Sequence, residues 1–269
     1  MKNLLDDKYW NKKYEKGSLY DGLYHSNLPK KFSKFFIPFL YTDQIKKIKK
    51  YLRNEKILKI VEIGSAPGFF LIEIAKIFSA QPFGIEKSEN GYEMNKRIFT
   101  FYGYNEENVL FKDFFDKDIE TFSNYFDAVI SRGFIEHFDN PSDVLKRHLL
   151  ILRNDGFIIV TVPNKKNLNR FLSKFFKSES LEGHNLKVMN LKFFKKFAEE
   201  NNLSIIFLGY IGIFDIYQIN PSLKKKKIYN LFMKFQKILY LLFNFLPESV
   251  NLNSSFYSPS ILFIAKKNG

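Results

Sequence analysis

The stretch ILKIVEIGSAPGFFLIEIA, residues 57–75, decides the fold. Its first seven residues form a short apolar run, which is typical of a buried strand. A turn with glycines at 64 and 68 follows, and apolar side chains then recur at helical spacing from Pro67 to Ser79. A strand, a glycine turn and an amphipathic helix in immediate succession predict the first crossover unit of a parallel sheet.

The same alternation of strand and helix continues along the chain. Further strands are predicted at 82–86, 109–113, 126–131, 156–162, 203–210 and 260–267, and further helices at 88–102, 141–152 and 191–201. The strands are apolar without polar alternation, which fits a sheet covered on both faces. The predicted fold class is therefore α/β, a doubly wound, Rossmann-like sheet of seven mostly parallel strands with helices on both faces. The turn Asn154-Asp155-Gly156 is expected to lead into the fifth strand.

The length of 269 residues suits one large domain with insertions. We predict an N-terminal covering segment at 1–55 and a main domain at 56–269, with lid or substrate insertions at about 165–190 and 211–258. The chain has no cysteine, which excludes disulfides and cysteine-based sites and fits a cytoplasmic location. Neither a secretory signal nor a membrane-spanning helix is expected, because no apolar run is long enough.

The formal net charge is +14, from 42 Lys and Arg against 28 Asp and Glu. Such an excess could suit nucleic acid, an anionic membrane surface or an acidic substrate. It is scattered along a chain rich in Lys, Asn, Ile and Phe, so biased codon usage also explains it. Residues 224–243 combine a helical apolar stripe with lysines, which indicates a lid, a dimer face or a peripheral membrane contact. The sequence does not indicate an oligomeric state.

The turn after the first predicted strand has the spacing G-x-x-x-G, formed by Gly64 and Gly68. A dinucleotide site would need G-x-G-x-x-G, and a P-loop would need Gly-Lys-Ser/Thr. Neither pattern is present, and the turn offers few donors for a pyrophosphate. A smaller adenosine ligand without phosphates fits better.

Acidic residues lie at the carboxyl ends of the first three predicted strands. Glu62 ends the first strand, and Glu86, which ends the second, can accept hydrogen bonds from both hydroxyls of a ribose. Asp113 ends the third strand, where a carboxylate can accept from an exocyclic amine, and the ring of Phe114 can stack on a purine. A single strand-end acid is more often a helix cap, but three on successive strands beside a glycine turn predict an adenosine site.

The segments VEIGSAPGFFLIEIA, GIEKS, VLFKDFF, FDAVISRGFIEHFDNP and LRNDGFIIVTVPN are similar, in order and spacing, to those of class I S-adenosylmethionine-dependent methyltransferases. The chain most resembles the small-molecule, ubiquinone-biosynthesis-like type, over about residues 57–164. The resemblance implies S-adenosylmethionine as cofactor and a methyltransferase domain at 56–269. It places the cofactor against Glu62, Gly64, Ser65, Ala66, Gly68, Glu86, Lys87, Asp113, Phe114, Ser131 and Arg132.

Two histidines are candidates for a general base. His137 follows the fourth predicted strand, and His184 lies on a glycine-containing loop after the fifth. Each could take a proton from an acceptor, although the first could instead anchor its loop and the second could be an exposed loop residue. His148 is expected on a helix surface. The four histidines do not cluster at metal-ligand spacing in the sequence, so no metal is predicted.

The turn after the fourth strand bears on the acceptor. It reads Ser131-Arg132-Gly133-Phe134, without the Pro-Pro-Tyr/Phe turn typical of enzymes that methylate base amines. The Asp and Lys typical of RNA ribose methyltransferases are absent, since Ser131 and Pro163 stand at those places. We therefore expect O- or N-methylation of a small-molecule, sugar or lipid-linked acceptor, and nucleic acid is disfavoured. The alternatives are an RNA methyltransferase and a non-catalytic module on the same fold.

Overall fold

A computed structural model describes residues 2–15, 39–176, 183–213, 215–216, 219, 223–244 and 253–269. Much of the predicted N-terminal segment, residues 16–38, lies outside the described residues. Residues 177–182, 214, 217–218, 220–222 and 245–252 of the two predicted insertions also lie outside them.

Helices and strands alternate through most of the described chain. Their bounds, in chain order, are α1 Asp7–Lys13, α2 Phe39–Leu52, β1 Lys59–Ile63, α3 Phe69–Phe78, β2 Gln81–Glu86, α4 Glu89–Phe101, β3 Val109–Phe111, β4 Phe126–Arg132, α5 Pro141–Ile151, β5 Leu152–Pro163, α6 Asn167–Phe175, α7 Leu191–Glu200, β6 Leu203–Ile211, α8 Lys226–Asn244 and β7 Ser260–Lys267. Local chemistry sets several starts. The side chains of Asp6, Ser88 and Asn190 cap α1, α4 and α7, and Pro141 opens α5.

The strands form one seven-stranded sheet in the order β3-β2-β1-β4-β5-β7-β6. The first five strands are parallel, and β7 runs antiparallel between β5 and β6. The predicted α/β, doubly wound, mostly parallel sheet is confirmed. The strand order reverses between β1 and β4, and ligands on such sheets bind beyond the carboxyl ends of the strands at that point.

Alternate residues of the central strands enter two apolar cores. Val129 of β4 packs on the side of α5 and α7, whereas Ala128 and Ile130 pack on the side of α2, α3 and α4. Burial on both faces explains why these strands are apolar throughout. Among the described residues, no helix combines the length and apolarity that crossing a bilayer requires.

Two local expectations are corrected. Residues 154–156 do not precede β5: the strand begins at Leu152, and the ladder with β4 shifts register where Asp155 takes a φ of 60°. His148 is fully buried rather than on a helix surface, and its Nδ1 lies 2.8 Å from the Val144 oxygen. Burial lowers the pKa of His148 to about 4, so this ring is neutral and belongs to the core.

Candidate active site at the carboxyl edge of the sheet

The carboxyl ends of β1, β2 and β4 meet at one edge of the sheet. Ile63 is paired with Ile85 on one side and with Ser131 on the other. The residues that come next on these strands, Gly64, Glu86 and Arg132, therefore lie side by side. The sheet brings together groups separated by up to 68 positions in the sequence, at the place where the strand order reverses.

Both glycines of the turn have left-handed backbone conformations, with φ values of 66° at Gly64 and 99° at Gly68. A Cβ at Gly68 would lie 2.3 Å from the Asn95 Oδ1 atom. The Asn95 amide also donates to the Ser65 hydroxyl, and Ser65 is buried. Asn95 therefore fixes the turn from within, and Ser65 is engaged there rather than directed at a ligand. Ala66 remains partly exposed at the lip of the site.

Glu86 is buried behind this turn, and backbone groups hold its carboxylate. Its Oε1 accepts from the Ser88 N–H at 2.8 Å, and its Oε2 accepts from the Ala66 N–H at 3.2 Å. Burial raises the pKa of Glu86, while these N–H groups act in the opposite direction. A carboxylate has about four acceptor sites, so two hydroxyl donors of a ligand can still bind.

Glu62 and Arg132 form an internal ion pair at the same edge. Arg132 Nε lies 3.0 Å from Glu62 Oε1, and its guanidinium lies 3.9 Å from the Phe70 ring centroid. Burial raises the pKa of Glu62 to about 7 against the opposing effect of Arg132. Glu62 therefore orients Arg132, which is partly exposed and closer to the open side of the site.

The N-terminal helix α1 lies over the end of β2 and the start of α4. The Asn11 Oδ1 atom accepts from the Ser88 hydroxyl at 2.8 Å, and the Tyr14 hydroxyl donates to the Ala66 oxygen at 3.1 Å. Further back, Asn3 forms a β-bridge with Phe138. These contacts close one side of the site with residues that come more than forty positions before β1.

Helix α1 also brings a cation into the site. Lys13 is exposed, although desolvation lowers the pKa of its ammonium, with Glu86 and Glu136 acting in the opposite direction. Both observations hold for a group that lines a cleft. The Nζ atom lies 4.7 Å from the Trp10 ring centroid. Lys13 thus supplies positive charge within the electrostatic range of both carboxylates.

The predicted adenine-side residues are arranged differently from expectation. Asp113 lies two residues beyond the end of β3, and its Oδ2 is 2.8 Å from the Lys87 Nζ, which also pairs with Asp7 of α1. The Phe114 ring is buried, at 5.0 Å from the ring centroid of His148. The structure therefore does not place Phe114 for stacking on a purine, because its ring belongs to the core. Asp113 stays partly exposed at the surface.

The structure brings His137, His184 and Glu136 together on the acceptor side. The two imidazole centroids are 4.7 Å apart, and the nitrogen and oxygen atoms of the three residues lie within 4.8 Å of one another. The expectation that the histidines do not cluster is therefore wrong for this pair, since sequence spacing does not reveal contacts across 47 positions. The absence of a bound metal stays a prediction.

His137 has the features of a loop anchor. Its Nδ1 lies 2.8 Å from the Gly183 oxygen, on the loop that carries His184. Burial, and then the neighbouring His184, lower the pKa of His137 to about 3. The ring is thus neutral at physiological pH, where Nδ1–H donates to the carbonyl. A group with this pKa is a poor general base near neutrality, so His184, which is partly exposed, is the better placed of the two candidates.

Glu136 is a buried carboxyl whose pKa rises to about 8, because desolvation outweighs the nearby Lys165 and Lys13 ammonium groups. Its Oε2 has no hydrogen-bond partner among the described residues. The backbone carbonyl oxygen of Glu136, in contrast, accepts a hydrogen bond from the Asn185 N–H at 2.7 Å. A raised pKa in a cleft marks a candidate for proton transfer.

The Glu136→Gln variant is expected to gain thermal stability relative to the wild type as pH rises. The folded wild type holds this proton up to about pH 8, whereas the unfolded chain loses it near 4.5, so the stabilisation is lost across that window. The difference in melting temperature between the variant and the wild type should be several degrees larger at pH 9 than at pH 5. Glu73→Gln, at an exposed carboxylate of α3, is the control. If the melting temperatures of the wild type and both variants change with pH in parallel, the assignment of Glu136 as a buried acid with a raised pKa is wrong.

The residues at this edge fit S-adenosylmethionine. Glu86 can serve the ribose hydroxyls and Lys13 a carboxylate. Two of the buried oxygens that have no hydrogen-bond partner among the described residues, Glu62 Oε2 and Ser131 Oγ, lie at the ends of β1 and β4. A polar ligand at the ends of β1 and β4 would supply such partners. Gly64 leaves room where a Cβ would lie 3.0 Å from the Phe134 ring.

Sequence reasoning did not assign roles to Lys13 and Glu136. Lys13 belongs to the predicted N-terminal covering segment, and only the folded arrangement shows that its ammonium reaches the cleft. Glu136 directly precedes His137 in the sequence. An acid next to a candidate base was the available signal.

Comparison with known proteins agrees with this geometry. The family described as "Methyltransferase domain" matches residues 35–207, more than half of the chain. EEF1A lysine methyltransferase 2 of Danio rerio is 29% identical over 113 residues, covering 39% of this chain and 48% of that protein. The mitochondrial ubiquinone biosynthesis O-methyltransferase of Dictyostelium discoideum is 26% identical over 137 residues, covering 48% of this chain and 42% of that protein. The matches thus span less than half the length of these curated relatives.

Among solved structures, the plantazolicin methyltransferase BpumL, in complex with a triazolic desmethylPZN analog and SAH, is similar in fold. The TM-score is 0.52 at 17% identity, over 98% of both chains. At this identity the likeness concerns the fold.

Proposed function

Because the chain belongs to the methyltransferase-domain family, we propose that it transfers the methyl group of S-adenosylmethionine to oxygen or nitrogen of a small-molecule, sugar or lipid-linked acceptor. The observation that carries this proposal is the cleft at the edge of β1, β2 and β4. It combines a glycine turn, the Glu86 carboxylate and the Lys13 ammonium in one place. The cofactor would lie against the glycine turn, with its ribose at Glu86 and its amino-acid part at Lys13.

The chain's own residues bind and orient. Glu86 would accept from the ribose hydroxyls, and Lys13 would receive the carboxylate of the methionine part. S-adenosylmethionine supplies, when bound, a methyl group on a sulfonium whose leaving group is already good. Alignment of the acceptor therefore contributes much of the rate, and a base is needed only when the acceptor must lose a proton. His184 and Glu136 are the candidates for that proton.

The enclosure of the cleft supports a small acceptor. The Leu4 N–H donates to the His137 oxygen at 2.7 Å, and a Cβ at Gly183 would lie 2.4 Å from Leu5. The N-terminal residues and the His184 loop thus meet over the acceptor side. A folded RNA or a large protein surface would have to displace these contacts. One curated relative is named a lysine methyltransferase and the other an O-methyltransferase of ubiquinone biosynthesis, so their names support no common acceptor, and the enclosure of the cleft is what supports a small one.

Transfer of labelled methyl groups from S-adenosylmethionine to an extract of the source organism tests the proposal. Label is expected in the small-molecule ultrafiltrate or the organic-solvent extract. We expect Gly64→Arg to reduce incorporation to background, because the new side chain meets Phe134 at a left-handed backbone position. Gly103→Arg is the matched control, since its φ is 78° and nothing lies within 4 Å of its Cβ position.

Different outcomes separate the alternatives. Label in RNA or in protein would show a methyltransferase whose acceptor belongs to a different class from the one proposed. Absence of cofactor binding by wild-type protein in calorimetry would favour a non-catalytic module on this fold.

A further inference from the structure

Helix α8 has an apolar face that the described residues do not cover. Its inner face packs against Phe176, the residue that directly follows α6. The Phe176 ring centroid lies 5.8 Å from that of Tyr229 and 5.7 Å from that of Phe232. The opposite face exposes apolar side chains at helical spacing: Ile228, Leu231, Phe235 and Ile238. The apolar stripe seen in the sequence is thus divided, with one part anchoring the helix and the other facing outward.

Helix α6 extends this outward surface. Phe171 and Phe175 are exposed and stack with their ring centroids 6.3 Å apart. Lys225, just before α8, donates to the Phe175 oxygen, and its Nζ lies 3.7 Å from the Phe175 ring centroid. This contact places the start of α8 beside the end of α6. We call the outer face the six exposed residues Phe171, Phe175, Ile228, Leu231, Phe235 and Ile238.

Cationic side chains surround the outer face. Lys224, Lys226, Lys227 and Lys234 of the α8 region are exposed. On α6, a depression of about 580 Å³ is lined by Lys166, Asn167, Arg170, Phe171, Lys174 and Leu186. The stretches 165–176 and 223–244 contain no Asp or Glu. Apolar side chains rimmed by cations, without acids in either stretch, match a surface that is both apolar and negatively charged.

We propose that the outer face binds the surface of an anionic lipid bilayer, with α8 lying in the plane of the interface. The apolar side chains would enter the headgroup and acyl boundary, and the lysines and Arg170 would contact lipid phosphates. A second copy of the chain fits less well, because a symmetric pairing would bring the two sets of lysines together without acids to offset them. A nucleic acid would leave the apolar side chains without a partner.

Co-sedimentation of the full chain with vesicles tests this proposal, without cofactor or acceptor, so its outcome is independent of the methyl-transfer reaction. Vesicles of phosphatidylcholine alone are compared with vesicles in which one third of the lipid is phosphatidylglycerol. Binding is expected only, or far more strongly, with the anionic vesicles, and it should weaken as salt rises. Equal binding to both compositions, or to neither, would overturn the proposal.

Leu231→Glu is expected to reduce binding to anionic vesicles by about tenfold or more, because it places a charge where an apolar side chain enters the bilayer. Phe101→Glu is the matched control, since Phe101 of α4 is 65% exposed and Leu231 is 66% exposed. A triple change of Lys224, Lys226 and Lys227 to Gln should have an effect of similar size. The same triple change at Lys192, Lys195 and Lys196, exposed on α7, should have little effect.

Two results would contradict the assigned surface. One is vesicle binding by Leu231→Glu that equals that of the wild type and of Phe101→Glu. The other is a dimer in light scattering that becomes a monomer in Leu231→Glu while vesicle binding does not change. The second result would assign the outer face to a second copy of the chain.

Discussion

Replacing Glu86 by alanine is expected to weaken the binding of S-adenosylmethionine by about a hundredfold or more. Each hydrogen bond from a ribose hydroxyl to a buried carboxylate contributes roughly 1.5–3 kcal/mol, and two such bonds are lost. The change also frees the Ala66 and Ser88 N–H groups that the carboxylate holds, which loosens the turn. Calorimetric titration with S-adenosylmethionine, S-adenosylhomocysteine and 5′-methylthioadenosine should show a similar loss for all three, because all share the ribose.

The control for Glu86→Ala is Glu73→Ala, which removes an exposed carboxylate of α3 that pairs with a neighbouring lysine one turn away. This control should bind all three ligands like the wild type. Thermal unfolding of both variants separates loss of the site from loss of the fold. Unchanged affinity in a folded Glu86→Ala protein would contradict the assignment of the ribose site.

The fold and the centre of the site could be predicted because both depend on local patterns. Apolar runs of five to eight residues, separated by amphipathic stretches, predicted the strands, and the parallel sheet then placed Gly64 and Glu86 at neighbouring strand ends. The rule that ligands bind at the carboxyl edge needs only the strand order. No side-chain packing had to be known for this step.

Packing decided what the sequence could not. Phe114 follows the strand-end acid as a stacking ring would, but the rings of Phe134 and His148 enclose it. His148 follows Leu145 by three residues and Val144 by four, so helical spacing puts it on the buried face of α5, although its residue type suggested the surface. The position of the Phe114 ring depends on which side chains from distant segments fill the space, and no short-range pattern records that.

Part of the site depends on contacts between segments far apart in the sequence, and this part was not predicted. Lys13 precedes β1 by more than forty residues, and residues 16–38 between them carry no pattern that predicts where α1 docks. The docking rests on a few polar contacts, such as Asn11 with Ser88 and Tyr14 with Ala66. Many pairs of polar residues could form contacts of this kind, so composition and spacing do not predict which pairs form them.

Lys13→Met is expected to weaken S-adenosylmethionine and S-adenosylhomocysteine binding by about tenfold to a hundredfold, and to leave 5′-methylthioadenosine binding unchanged. Only the first two ligands carry the amino-acid carboxylate, and a charge-assisted hydrogen bond contributes roughly 1.5–3 kcal/mol. Methionine keeps the length of the side chain and removes the ammonium, whose Nζ lies 4.7 Å from the Trp10 ring centroid. Calorimetry with the three ligands measures the difference directly.

Lys12→Met is the control, because Lys12 is exposed on the same helix and outside the electrostatic contacts that perturb Lys13. The pattern across ligands distinguishes the two charged groups of the cleft: Glu86→Ala should weaken all three ligands, and Lys13→Met only the two with a carboxylate. If the Lys13 ammonium instead faced the sulfonium, its removal would relieve repulsion and tighten S-adenosylmethionine relative to S-adenosylhomocysteine. That result would place the amino-acid part of the cofactor elsewhere in the cleft.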